Sequence, residues 1–277
     1  MTFRDRLRLI FAKISRKETI LFSMKEQWVL QKIQRELQGR AVFFYEFDEV
    51  DPNIFDIAVP LTLPAQKYAN ANPGLFTSKN AIIPSNYCIN LCDDKERFHR
   101  FLVTNGFGMF APKIHDGSTY PYVLKKKIGK WGVDTVIISN SQDEQANIEK
   151  TRSNDYFKQE CITGRKEYAG HVVIMGGKIV FLKTIEFTFR DEQFVKSAHC
   201  KPSKVKEVDH SHLKTTFEDI LVKMGYQGMC CFDYKIGSRG PMIFEVNPRY
   251  GASMINFLDE AVASYKGALS HEVSQQQ

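Results

Sequence analysis

Residues 229–249 read Met-Cys-Cys-Phe-Asp-Tyr-Lys-Ile-Gly-Ser-Arg-Gly-Pro-Met-Ile-Phe-Glu-Val-Asn-Pro-Arg, the most informative segment of the chain. Two strand-like runs, 229–236 and 242–247, flank Gly237-Ser238-Arg239-Gly240, a hairpin turn by composition. Strand side chains alternate faces, so Glu245 and Asn247 share one face, and a turn centred near Arg239 sets Asp233 across from Glu245. Opposed carboxylates repel unless a hard divalent cation sits between them. Magnesium suits such a place, taking one or two carboxylates and completing its octahedron with waters and phosphate oxygens. Asn247 adds a neutral oxygen, and Arg249, pointing the same way while the strand lasts, can hold a phosphate or carboxylate bidentately. Spacing alone leaves a second reading open, a solvated edge hairpin whose acids pair with Lys235 or Arg239.

Upstream, Tyr122-Val123-Leu124-Lys125 ends an apolar run ahead of Gly129-Lys130-Trp131-Gly132. Backbone amides in such a glycine-bearing turn can approach phosphate oxygens while Lys125 neutralises their charge. Gln159-Glu160-Cys161-Ile162, ahead of Gly164 and Glu167, is a further apolar run ending in polar groups and suits a hinge between two lobes. Strands are expected over 120–128, 134–139 and 156–162, with two long β runs over 166–189 around Met175-Gly176-Gly177-Lys178. A polar loop carrying His199 and Pro202 leads into a helix near 212–224, and another helix starts at about Ser253. Asp93 to Asn105 reads as a helix with acids at its start, where the dipole favours them.

Nearer the N-terminus, Thr19 to Phe22, a helix from about Met24 to Leu37, and Ala41 to Phe47 make a β-α-β unit that Phe55 to Pro60 extends. GxGxxG is absent after the first strand, so no dinucleotide is expected there. In the first 17 residues Phe3, Leu7, Ile10 and Ile14 recur at helical spacing between Arg4, Arg6, Arg8, Lys13, Arg16 and Lys17. Such a helix can lie on an anionic membrane surface, or pack on its own domain or on a second subunit of a homodimer.

The 277 residues are 43% hydrophobic and 25% charged, which excludes a disordered or fibrous chain. No apolar run approaches the roughly 20 residues of a spanning helix, and no export signal is visible, so a cytoplasmic protein is expected. A net charge of +6, from 38 basic and 32 acidic residues, is modest for nucleic-acid binding, and anionic small ligands account for it. The six cysteines form no paired CxxC knuckles and read as reduced core thiols.

Taken together, these pieces resemble the ATP-grasp superfamily from about Pro84 to Ser253, in the family's order: Asp94-Lys95 opening a helix, Tyr122 to Lys125 before the glycine turn, Gln159 to Gly164, then Asp233 and Glu245-Val246-Asn247-Pro248-Arg249. The resemblance implies an α+β fold, an ATP-grasp domain of two lobes over residues 89–277 with a lid at about 120–156, preceded by a small Rossmann-like lobe over 1–88. It implies ATP and Mg2+ as cofactors. The residues matching the family's phosphate lysines are Lys95 and Lys125, with Gly129 and Gly132 in the turn; Glu160, Cys161 and Ile162 match the adenine hinge and Glu167 the ribose acid. Asp233, Glu245 and Asn247 match its metal ligands, and Arg249 the residue that steadies the transferred phosphoryl group. The implied reaction is ATP-dependent ligation of a small carboxylate to an amine through an acyl phosphate, ADP-forming; a kinase, a carboxylating enzyme or a regulatory ATP-binding module without turnover remain open. Gln159 departs from the acid often found in the hinge, and the leading lobe is short. Lys183, Glu186, Arg190, His199 and Lys201 are the substrate-side candidates.

Overall fold

The computed structural model describes residues 1–129, 132–197 and 200–275. Helix α1 (Phe3–Ile14) is capped by the Thr2 hydroxyl, which accepts from the Asp5 amide. Strand β1 (Thr19–Phe22), helix α2 (Gln27–Glu36), β2 (Ala41–Phe44) and β3 (Ile57–Val59) follow, the strands forming a parallel sheet in the order β2-β1-β3. Parallel neighbours need crossovers, which bury both faces. One face takes Val29, Leu30 and Ile33 of α2; the other takes Leu9 and Ala12 of α1 with Ala65 and Ala69 of α3 (Leu63–Ala71). The second strand stops at Phe44 rather than Phe47 because β1, its partner, offers only four residues. The helix expected from Met24 begins at Gln27.

Helices α4 (Asn86–Asp93) and α5 (Lys95–Thr104) meet at Asp94, whose carboxylate accepts from the Glu96 and Arg97 amides and caps α5. The sequence predicts one helix from Asp93; α4 is an additional element that buries Cys88, Ile89, Leu91 and Cys92. Strand β4 (Tyr122–Lys126), β5 (Val136–Ile138), the short helices α6 (Ser141–Ala146) and α7 (Ile148–Arg152), and β6 (Tyr156–Glu160) complete an antiparallel sheet in the order β5-β4-β6. Neither short helix buries a residue, so no apolar period announced them.

The largest sheet contains β7 (Lys166–Met175), β8 (Lys178–Thr188) and β9 (Lys204–Val208), then, after α8 (Lys214–Met224), β10 (Gly228–Gly237) and β11 (Gly240–Asn247), ordered β11-β10-β7-β8-β9. A 3-10 turn over Ala252–Phe257 leads into α9 (Leu258–Gln275). The residues of β9 read as polar loop; they form an edge strand, where charges such as Lys204, Lys206 and Glu207 oppose further pairing.

Strand parity positions the site. Even-numbered residues of β7 and β10, among them Tyr168, Val172, Cys230 and Phe232, pack on α4, α5 and α8. Odd-numbered Val173, Met175, Phe181 and Met229 pack against α2 and α9. Toward the opposite end of the sheet the odd face continues as Glu167, Ala169, Cys231 and Asp233, which line a cavity instead. Alternation alone thus runs one strand face from core to site. All six cysteines are free, with Cys88, Cys92, Cys230 and Cys231 buried. No described helix is long and apolar enough to cross a membrane.

Candidate active site

Strand register brings the acids together. Asp233 of β10 pairs with Glu245 of β11, and Cys231 with Asn247, so Asn247 sits diagonally from Asp233 on the same face. The Asn247 side-chain nitrogen donates to Asp233 Oδ2 at 2.9 Å and to Glu245 Oε1 at 3.2 Å. A register shift between Asp233 and Tyr234 immediately follows the pair, a device that re-aims side chains next to sites. The carboxylates titrate in opposite directions. Burial, helped by the Glu245 charge, raises Asp233 despite Lys196; burial opposes ionisation of Glu245 as well, but Lys95 and Lys125 outweigh it and lower its pKa. Two carboxylates driven apart in this way are a place where a divalent cation relieves repulsion. Among the described residues no group of three or more His, Cys, Asp and Glu is placed to hold a metal ion; the third group beside the two acids is the Asn247 amide.

The solvated-edge reading fails on geometry. Lys235, only 3% exposed, donates to the Ile162 carbonyl at 3.1 Å, and Arg239 pairs with Glu160. Neither cation neutralises the acid pair, which instead faces a cavity of about 550 Å3.

Cations reach the pair from a helix and from another sheet. Lys95, at the start of α5, lies 3.5 Å from Glu245 and donates to the Gly129 carbonyl at 2.8 Å, tying the glycine turn to the hairpin. Lys125 on β4 is buried and donates to the Phe244 carbonyl at 3.3 Å; burial first, and then Lys95, lower its pKa against the pull of Glu245. Gly132 has a left-handed φ of 64°, and a Cβ there would meet the Lys196 carbonyl oxygen at 2.6 Å. The turn therefore closes onto the segment carrying Lys196, and only glycine allows both the dihedral and the approach. Lys130 and Trp131 of that turn lie outside the described residues.

Lys196 is the functional candidate that the sequence did not reveal. Its ammonium bridges Glu167 at 2.7 Å and Asp233 at 2.9 Å. Burial alone would lower its pKa, but the two carboxylates raise it strongly. It lies on the aperiodic connection between β8 and β9, where no spacing marks one lysine over another. Glu167 is therefore linked through Lys196 to the acid pair.

At the end of β6, Glu160 Oε2 accepts from the Lys113 amide at 3.0 Å, and Glu160, Cys161 and Ile162 line the cavity with Val123, Phe187 and Phe194. Arg249, just past β11, lines it too; its amide donates to the Asn247 carbonyl at 2.8 Å. Every site residue selected from sequence borders this one cavity. The substrate-side candidates fare differently. Lys201 lines the cavity. Lys183 is held by Glu207 and Glu260, at 3.0 and 3.5 Å, and Glu186 sits on the even face between Lys166 and Lys206, so neither faces it. Arg190 is exposed and outside the lining, and His199 lies outside the described residues.

A family model described as an ATP-grasp domain matches residues 92–253, more than half of the chain. No curated protein matches the sequence. Among solved structures, the D-alanine–D-alanine ligase from Bacillus anthracis aligns with a TM-score of 0.63 at 13% identity, over 92% of this chain and 99% of that one. The L-amino acid ligase from Bacillus licheniformis gives 0.57 at 17% identity, over 86% and 68%. Biotin carboxylase from Campylobacter jejuni gives 0.59 at 15%, over 96% and 68%. At these identities the likeness is one of fold.

Proposed function

Because the chain belongs to the ATP-grasp family, we propose that it is an ATP- and magnesium-dependent ligase that activates a small carboxylate for attack by an amine. The observation that carries this reading is the meeting of an opposed carboxylate pair, one amide and several cations in a single cavity. Asp233, Glu245 and Asn247 would hold the metal, which when bound neutralises phosphate charge. The donor set fits: two hard carboxylate oxygens opposed across a strand pair, plus an amide that presents its oxygen once flipped.

Lys95 and Lys125 bind nucleotide phosphates from the side of the glycine turn, and Gly129 and Gly132 let that turn sit close. Cys161, Ile162 and the Phe187 and Phe194 rings form the apolar part of the cavity, which suits a base. Arg249 and Lys201 carry positive charge for the substrate carboxylate or the transferred phosphoryl group. A carboxylate oxygen bonds to the γ-phosphorus as the bond to ADP breaks; an amine nitrogen then bonds to the acyl carbon as phosphate leaves and the amine proton passes to solvent. Such chemistry needs positioning and charge neutralisation more than a protein nucleophile. On this reading residues 1–88 form a leading lobe and about 120–156 a lid.

The test is an ADP-release screen that crosses amino acids and other small carboxylates with amine acceptors, with mass spectrometry of the products. ADP and phosphate should appear in equal amounts, only when both substrates and magnesium are present. Release that depends on bicarbonate, a stable phosphorylated product, or tight ATP binding with no turnover on any pair would overturn the ligase reading.

A further inference from the structure

Helix α1 is apolar on two opposite sides. Leu9 and Ala12 point inward onto the parallel sheet, at 7% and 5% exposure. At about 100° per residue, Phe3, Leu7, Ile10, Phe11 and Ile14 fall in a sector roughly opposite that buried pair. They are 77%, 41%, 53%, 67% and 73% exposed. The stripe noted in the sequence is therefore the outward face, and it is not what packs α1 on its own domain.

Cations flank the stripe. Arg4 and Arg8 lie along one side and Arg6 and Lys13 along the other, Arg16 and Lys17 follow the helix, and all six are exposed. The single acid of the segment, Asp5, is turned inward by the Thr2 and Tyr45 hydroxyls, which both donate to it. Exposed apolar side chains in one row between cationic flanks are the arrangement of a helix lying in a membrane interface, where the row enters the acyl boundary and the flanks meet headgroup phosphates.

We propose that the outer face of α1 docks on a membrane surface rich in anionic headgroups. Charge decides between this occupant and a second copy of the chain. A two-fold contact would set the face against itself and bring six cations onto six like charges. An anionic surface is complementary at every one of these positions. Apart from Leu63 of α3, every residue lining the cavity comes from Cys92 or later, so docking through α1 leaves it uncovered. The proposal does not depend on the ligase reading.

The test is flotation of the full chain with vesicles of phosphatidylcholine alone or with one third phosphatidylglycerol. Binding to the anionic vesicles should exceed that to neutral ones by about tenfold and weaken with salt. The doubly substituted Ile10→Glu, Phe11→Ser chain should lose about tenfold in partitioning, with melting temperature and ATP binding unchanged because both positions are exposed. Arg6→Glu with Lys13→Glu should lose a similar factor while keeping the stripe intact. Failure to float with anionic vesicles, or equal binding by wild type and both variants, would sink the proposal. So would a concentration-dependent dimer in solution that the stripe variant disperses, since that would make the occupant a second copy.

Discussion

The β10–β11 hairpin and the segment between β8 and β9 reach the same point, with Asp233 and Lys196 2.9 Å apart, by different physics. On the hairpin, ladder register fixes which side chains oppose one another: once Asp233 pairs with Glu245, Asn247 must lie diagonally on the same face. On the connecting segment no period exists, and Lys196 arrives because the chain between β8 and β9 passes against Gly132. A register-built group can be located from spacing, whereas a return-built group requires the whole fold. The two also differ in role. The hairpin supplies two of the three carboxylates around Lys196, which partly neutralises them together with Glu167 of β7.

Substitution on the hairpin should cost the most activity. Glu245→Gln keeps size and hydrogen bonding but removes the charge that Lys95 and Lys125 face. ADP release should fall by about 10²- to 10³-fold, the scale for losing one preorganised electrostatic group, while ATP binding falls less. Equal release by wild type and variant would mean that the acid pair is not the reaction centre.

The next effect separates the two regions. Lys196→Met leaves Glu167 and Asp233 partly buried without their shared cation. Breaking a buried pair costs about 3 to 5 kcal/mol; with the lysine side chain 29% exposed, a loss of about 2 to 3 kcal/mol is expected. The sign on metal binding is opposite. With the ammonium gone, manganese should bind the nucleotide-free variant more tightly than wild type and restore part of its melting temperature. If the metal stabilises both proteins equally, Lys196 does not share the acid pair's charge balance.

This contrast explains what was legible in the sequence. The Asp233–Glu245 pairing, the Gly176-Gly177 turn and the N-terminal parallel strands follow from local rules of alternation and turn chemistry. Lys95 and the glycine turn were legible as parts of a family pattern, but their mutual contact through the Gly129 carbonyl was not. Strand β9 and helices α6 and α7 do not follow from the sequence because none of their residues is buried and they carry no apolar period. Lys183 and Glu186 lie on a strand of the correct sheet, yet one is held by acids of β9 and α9 and the other faces the wrong side. A charge on a strand is not a site until the partner strands are known.

The smallest effect joins the two regions through a residue that neither supplies. His171 of β7 pairs in register with Cys231 of β10, on the odd face between cavity and core. It is fully buried, its Nε2 is 2.8 Å from Ser253 Oγ, and the Gly251 backbone packs so closely that a Cβ there would meet its ring at 2.6 Å. Burial, with a smaller contribution from the Lys196 charge, lowers its pKa to about 3. The folded protein therefore keeps a neutral ring while the unfolded chain takes up a proton near pH 6.5. The unfolded state binds more protons throughout the window between these values, so stability is complete above about pH 6.5 and declines as pH falls toward 3. Between pH 7 and 5 this group alone should remove about 2 kcal/mol. Urea unfolding of wild type and His171→Gln at both pH values isolates it, because the carboxylates that titrate in the same range are common to both chains. The wild type should lose more on acidification by about that amount. In a Lys196→Met background the His171-dependent loss should be no larger, because the lysine charge helps to keep the ring neutral. Identical losses with and without His171 would show that the ring is not held neutral between hairpin and segment.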